Sequence, residues 1–391
     1  MAKRIRRRST KRNQRKLSKK RLSKRLAKRR MSKRLTKRRL SKRRVRRGGK
    51  PEEGPEEEPK KDHLSKLPGD ITEKIAQDLT LAEQRSLRQT SRGMKAGIQR
   101  IYDIKRKEAI QRLTKLGISP TSTKVNLVNN NAVNDNTIDE ILQVLTVLPN
   151  LQELDLMNNA LTVLPESIGD LSNLQKLWLG YNALTALPSS MGKLESLQTL
   201  MLGSALREKS QEELDVVFQA LKIIPNLQTL DLSYNELTEL PESIGDLSNL
   251  QKLYLGYNAL TALPERLCNL PNLQYLSLSY NRLTTLPESL GNLSNLQKLD
   301  LGNNRLTALP ERLCNLSNLQ ELGLGHNRLT VLPERLGDLS KLHTLWLGYN
   351  PLTALPSSMG KLKSLQTLWI SGTQVPDINS IHSSFPNVQI L

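Results

Sequence analysis

Aromatic side chains make up only 3% of the chain. A core of mixed aromatics is therefore excluded, and whatever packs inside must be aliphatic. Cysteine is almost missing too, with Cys268 and Cys314 alone, which excludes a disulfide framework and points to a reducing compartment. No run reaches the ~18 uninterrupted apolar residues that a spanning helix needs, and no apolar stretch follows the charged N-terminus. The expectation is an intracellular protein, in the cytoplasm, the nucleus or both, without a membrane span. The four histidines, His63, His326, His343 and His382, are scattered without metal-ligand spacing, and no G-x-x-x-x-G-K-[ST] phosphate loop or Cys/His arrangement is present. We therefore expect no cofactor, no metal and no catalytic constellation.

Acid is missing from one region only. Residues 1–50 hold 28 Lys/Arg and neither Asp nor Glu, whereas the other 341 residues hold 31 against 37 and sum to −6. A nine-residue period runs through 21–47 (RLSKRLAKR, RMSKRLTKR, RLSKRRVRR). Nine helical steps turn through about 900°, so successive repeats face opposite ways and no apolar stripe accumulates. Like charge at this density repels itself and favours a disordered arm that awaits a polyanion. The expected contacts are Arg6, Arg7, Arg8, Arg29, Arg30, Arg38, Arg39, Arg43 and Arg44. Non-specific nucleic-acid binding would have a Kd of about 10⁻⁴ to 10⁻⁶ M and weaken steeply with salt. Nuclear import and attraction to membrane headgroups are the other readings of the same charge. Residues 51–63 are rich in Pro, Gly and Glu and read as a linker.

From Leu67 the pattern becomes helical, with Ile71, Ile75 and Leu79 four apart, then Thr80 to Glu83 as a capping box, then Leu87, Met94, Ile98 and Ile101. About 40 such residues cannot bury a stable core alone. The stretch LPGDITEKIAQDLTLAEQRSLRQTSRGMKAGI resembles an F-box in length and register. That resemblance implies a helical hook, residues 64–112, binding the Skp-type adaptor of cullin ubiquitin ligases. Leu67, Pro68, Ile71, Ile75, Leu79, Leu87 and Met94 occupy the matching positions. Met94 stands where the family usually has Trp, and Ala76, Gln84 and Arg85 replace commonly aliphatic positions. The alternative is a helical cap on the domain that follows, and the two readings are compatible.

Residues 123–391 repeat L-x-x-L-x-L-x-x-N-x-L-x-x-L-P, first in full at Leu151, Leu154, Leu156, Asn159, Leu161, Leu164 and Pro165. The Asn column runs Asn130, Asn159, Asn182, a degenerate Ala205, Asn235, Asn258, Asn281, Asn304, Asn327, Asn350 and a degenerate Thr373, mostly 23 apart. In an extended L-x-L both leucines point to one side, and a coil that cannot bury them alone must stack on neighbours. This pattern is identified as the intracellular 23-residue type of leucine-rich repeat. The cysteine clusters that cap extracellular relatives are missing. The expected fold class is α/β, an LRR horseshoe solenoid of about eleven coils with a parallel sheet on its concave face, closed near Ile370, Thr373, Val375 and Phe385. Two longer coils carry helix signatures, with capping boxes at Thr137/Glu140 and Ser210/Glu213. Cys268 and Cys314 share a column otherwise held by Gly, two coils or about 10 Å apart, too far for a disulfide.

The aromatics gather on one face. Trp178, Tyr254, Trp346 and Trp369 lie between the two leucines, and Tyr275 just before them. Tyr181, Tyr234, Tyr257, Tyr280, His326 and Tyr349 precede the Asn. These are the residue types of binding hot spots, although rings before the Asn also suit covering the next coil's backbone. Arg282, Arg305 and Arg328 form a ladder suited to an acidic peptide or phosphate, with Glu265, Glu311 and Glu334 expected to neutralise it. Together the two resemblances imply a substrate-recruiting adaptor of a cullin-type ubiquitin ligase, its target protein held on the concave face. A non-enzymatic intracellular scaffold and a nucleic-acid-tethered binding protein are the alternatives.

Overall fold

The L-x-L doublets are strands because their leucines face a core that only the neighbouring coils complete. In the computed structural model, which describes residues 79, 81, 96–376 and 388–391, each doublet centres a strand of two or three residues. In chain order these are β1 (Lys124–Asn126), β2 (Glu153–Asp155), β3 (Lys176–Trp178), β4 (Thr199–Met201), β5 (Thr229–Asp231), β6 (Lys252–Tyr254), β7 (Tyr275–Ser277), β8 (Lys298–Asp300), β9 (Glu321–Gly323), β10 (Thr344–Trp346), β11 (Thr367–Trp369) and β12 (Gln389–Ile390). They form one sheet in sequence order, and every neighbouring pair is parallel. The register never slips: Leu230 pairs with Leu253, Leu253 with Leu276 and Leu276 with Leu299. All four are fully buried.

The Asn column supplies the polar half of the stacking. Asn304 Oδ1 accepts from the Leu283 N–H of the preceding coil at 3.0 Å, and its Nδ2 donates to the carbonyls of Leu278 and Leu301 at 2.9 and 3.0 Å. Asn182, Asn258, Asn281, Asn327 and Asn350 repeat the arrangement. Each amide thus satisfies backbone groups that bend out of the sheet, where no strand can.

The return limb is helical in the long coils and tightly turned elsewhere. Helix α1 (Ala96–Lys115) precedes the sheet, α2 (Ile138–Leu145) follows β1 and α3 (Gln211–Lys222) follows β4. The expected box opens α3: the Ser210 side chain accepts from the Glu213 N–H, and Glu213 accepts from the Ser210 N–H. At α2 the expectation fails. Thr137 caps no helix N–H, because its hydroxyl donates to the Ala132 carbonyl at 2.6 Å and accepts from the Asn134 N–H. The other coils up to β11 return through five-residue 3-10 turns that open after proline, as at Pro165 and Glu166–Asp170, where a fixed φ and a missing N–H cost nothing.

Those turns explain the glycine column. A Cβ at Gly291 would stand 2.1 Å from the Arg312 carbonyl oxygen of the next coil. Gly291→Ala is therefore expected to lower the unfolding free energy by about 1–3 kcal/mol, read by urea denaturation. In the same column Cys268 and Cys314 are buried and free, and burial pushes both thiols up to about 11.

At the N-terminal side, Ala109 and Leu113 of α1 join the leucine core and Tyr102 is buried. Arg112 pairs with Glu140 of α2, and Lys105 Nζ donates to the Leu79 carbonyl at 3.0 Å. Leu79 is half-buried and Leu81 packs on the core. Leu67, Pro68, Ile71, Ile75, Leu87 and Met94 lie outside the described residues, as do the nine arginines named above as polyanion contacts and Phe385. At the other end β12 pairs with β11, and the Leu391 carbonyl accepts from the N–H groups of Ile370 and Ser371.

Candidate binding face

Between the two leucines of each doublet, one side chain per strand leaves the core. In this column Trp178, Tyr254 and Trp346 are half-exposed and Trp369 is exposed. Trp346 and Trp369 are register partners on β10 and β11. The Trp369 ring lies against bare backbone, since a Cβ at Gly348 would come within 2.7 Å of it. One strand position earlier, the Tyr275 ring sits 4.9 Å from that of Tyr254, tilted by 38°. Lys298 Nζ lies 5.6 Å from the Tyr275 ring centre and pairs with Glu321 at 2.6 Å. All these rings reach solvent from a sheet whose backbone is fixed by neighbours on both sides.

The same column holds Asn126, Asp155, Asp231 and Asp300, whose role the sequence reading missed. Each bends over to accept the N–H two residues on, at Val128, Met157, Ser233 and Gly302, at 2.8–3.1 Å. The signal was the recurrence of Asx two residues before the turn. Burial pushes the Asp155 carboxyl above the usual range, with the Met157 N–H partly offsetting it. A raised folded-state value means that stability falls as pH rises through it. Asp155→Asn keeps the acceptor and removes the charge. It is expected to raise the melting temperature at neutral pH and to match the wild type well below the carboxylate range, checked by thermal denaturation at both. Glu153 shows the opposite shift: Lys124 at 3.0 Å and Lys176 at 3.1 Å hold its carboxyl low.

The column before the Asn is left-handed backbone throughout. Tyr181, Tyr234, Tyr257, Tyr280, Asn303, His326 and Tyr349 have φ of 54° to 60°, a region costing an L-residue about 1–2 kcal/mol. The rings stack along the solenoid. Tyr234 and Tyr257 are 4.3 Å apart, Tyr257 and Tyr280 4.1 Å, and His326 and Tyr349 4.2 Å, all within 12° of parallel. Stacking returns about 0.5–1.5 kcal/mol per pair, comparable to the backbone cost. Tyr349 also covers its neighbour's backbone, since a Cβ at Gly372 would come within 2.8 Å of its ring.

The arginine ladder is placed as expected, but its neutralisation is not. Arg282, Arg305 and Arg328 are exposed, each with its N–H bonded to the preceding coil at 2.9 Å. Among the described residues no carboxylate pairs with their guanidinium groups. Glu265 instead accepts from the Ser289 hydroxyl and Glu334 from that of Ser357, because glutamates that follow proline serve the next turn of the outer wall. Among the described residues no three His, Cys, Asp or Glu side chains gather as for a metal ion, and no helix is long and apolar enough to cross a membrane.

Comparison with known proteins agrees with this architecture. A family model described as leucine rich repeat matches residues 149–204, 225–283, 248–306 and 271–329, and one described as two-copy leucine rich repeats matches 317–358. No curated protein matches the chain. Among solved structures, a leucine-rich repeat protein of Leptospira interrogans is 31% identical over 63% of this chain and 80% of its own, with a TM-score of 0.44. The ectodomain of the Arabidopsis thaliana receptor kinase GASSHO1/SCHENGEN3, solved with Casparian Strip Integrity Factor 2, is 31% identical over 63% of this chain, with a TM-score of 0.51. This chain spans only 33% of that one. An internalin of Listeria monocytogenes shares the fold at 22% identity over 73% of this chain and 93% of its own, with a TM-score of 0.52. The solenoid of stacked L-x-L strands and Asn turns is a leucine-rich repeat domain.

Proposed function

We propose that the solenoid binds an extended polypeptide of a partner protein across its strands, with Trp346 and Trp369 as one anchor and the Tyr254–Tyr275 pair as another. The observation that carries this reading is the exposure of large rings on a rigid sheet, where holding them ready costs little further ordering on binding. Leucine-rich repeats are protein-interaction scaffolds, and the Arabidopsis ectodomain holds its own partner in the solved complex. Selection from a displayed peptide library against the full chain tests it. Enrichment of sequences that are lost when the anchors are removed supports the reading, and failure to enrich any overturns it.

The finer reading is that residues 64–112 hand the bound protein to a Skp-type adaptor of a cullin ubiquitin ligase, on the F-box-like spacing of Leu67, Pro68, Ile71, Ile75, Leu79, Leu87 and Met94. Full-length chain is expected to retain a purified Skp-type adaptor at micromolar concentration, and Ile71→Glu to abolish retention. Absence of binding by the wild type removes the ligase role. The 28 Lys/Arg of residues 1–50, with no acid among them, favour an added tether to nucleic acid. Salt-dependent retention on DNA that survives deletion of these residues would contradict it.

A further inference from the structure

The ladder of stacked rings has one break. From Tyr234 to Tyr349 every coil presents a ring before its Asn except one, where Asn303 stands between Tyr280 and His326. Asn303 shares the left-handed backbone of its neighbours, with φ of 56° against 56° for Tyr280 and 55° for His326. The flanking rings therefore leave from equivalent positions two coils apart, about 9–10 Å at ~4.8 Å per strand. One planar ring placed midway would lie about 4.5–5 Å from each, within the range of aromatic stacking. Neighbouring rings of this ladder already stand 4.1 to 4.3 Å apart. At the floor of the gap the Asn303 amide is half-exposed and makes no side-chain hydrogen bond among the described residues.

The three arginines fall on the same three coils. Arg282 follows Tyr280, Arg305 follows Asn303 and Arg328 follows His326, each two residues on, with the buried Asn281, Asn304 and Asn327 between. On both sides of each buried Asn the side chains reach solvent: Tyr280, Arg282, Arg305, His326 and Arg328 are exposed and Asn303 is half-exposed. Unpaired guanidinium groups thus line the side of the break, centred on it, and they suit an anion held in the plane of an inserted ring.

We infer that the break at Asn303 is a slot for an aromatic ring bearing a phosphate-like anion, the side chain of a phosphotyrosine in the bound polypeptide. Tyr280 and His326 sandwich the ring, Asn303 meets its edge and Arg305, with Arg282 and Arg328 beside it, takes the anion. An aryl phosphate carries its charge in line with the ring, matching an arginine on the coil of the slot itself, whereas a nucleotide carries it on a sugar out of the base plane. This inference rests on the polypeptide-binding reading and names the chemistry of one of its subsites.

Calorimetric titration of the full chain with phenyl phosphate, inorganic phosphate and AMP tests it. Phenyl phosphate is expected to bind at least about tenfold more tightly than inorganic phosphate. Asn303→Tyr, which fills the slot with the residue found at 280, and Arg305→Ala should each erase that advantage while leaving inorganic phosphate binding by the rest of the chain unchanged. Should Asn303→Tyr fail to fold, Arg305→Ala alone decides. No advantage over inorganic phosphate, or an advantage that survives Arg305→Ala, overturns the slot. AMP binding as tightly as phenyl phosphate overturns the phosphotyrosine assignment. Peptide selection that still depends on Trp346 and Trp369 while phenyl phosphate shows no preference sinks the slot alone.

Discussion

Asn304→Ala is expected to cost about 2–4 kcal/mol of unfolding free energy, read as a lower urea midpoint at unchanged slope. The substitution strips a buried amide of four bonds at once, the longest of them to the Gly302 carbonyl, which keeps the Tyr280 N–H. The losses are unequal. The carbonyl of Leu278 also accepts from Asn281, and that of Leu301 from Asn327, so each keeps one donor. The Leu283 N–H loses its partner and stays buried, and this orphaned group accounts for most of the cost. Asn304→Asp should be worse at neutral pH, since a carboxylate would face three carbonyl oxygens with nothing to donate, and it should recover in acid as the carboxyl is protonated. Equal stability of the Ala variant and the wild type would mean that the ladder is ornamental and that leucine packing alone holds the coils.

Replacing Trp346 and Trp369 together by alanine is expected to weaken capture of a selected partner polypeptide by at least about a hundredfold, the combined effect of two central aromatic anchors. The unfolding free energy from urea denaturation should stay within about 0.5 kcal/mol of the wild type, because neither ring belongs to the leucine core. Measuring both quantities on one preparation separates a binding defect from a folding defect. Partial loss confined to Trp346→Ala would move the anchor towards Gly323, where the neighbouring strand offers bare backbone.

Much of this architecture was written into the periodicity of the chain. Leucines at fixed intervals place themselves in the core, and the register from Leu154 to Leu368 follows because any slip would turn a whole coil inside out. The Asn column was legible for the same reason. Thr137 misled because a capping box needs geometry as well as spacing, and the Asn134 turn claimed its hydroxyl first. The glutamates misled because proximity in sequence hid competing donors: Glu265 and Glu334 accept the Ser289 and Ser357 hydroxyls of the following turns. The stacked rings at positive φ were visible only as a Tyr column. Their parallel stacking is a property of coil spacing and backbone hand, which a single repeat does not encode.

The chain has three tryptophans, and all of them stand on the proposed binding face, so their fluorescence reports on that face alone. Acrylamide quenching should be efficient in the free protein and strongly reduced when a selected partner polypeptide saturates it. Quenching that stays the same at saturation would place the partner elsewhere and contradict the account.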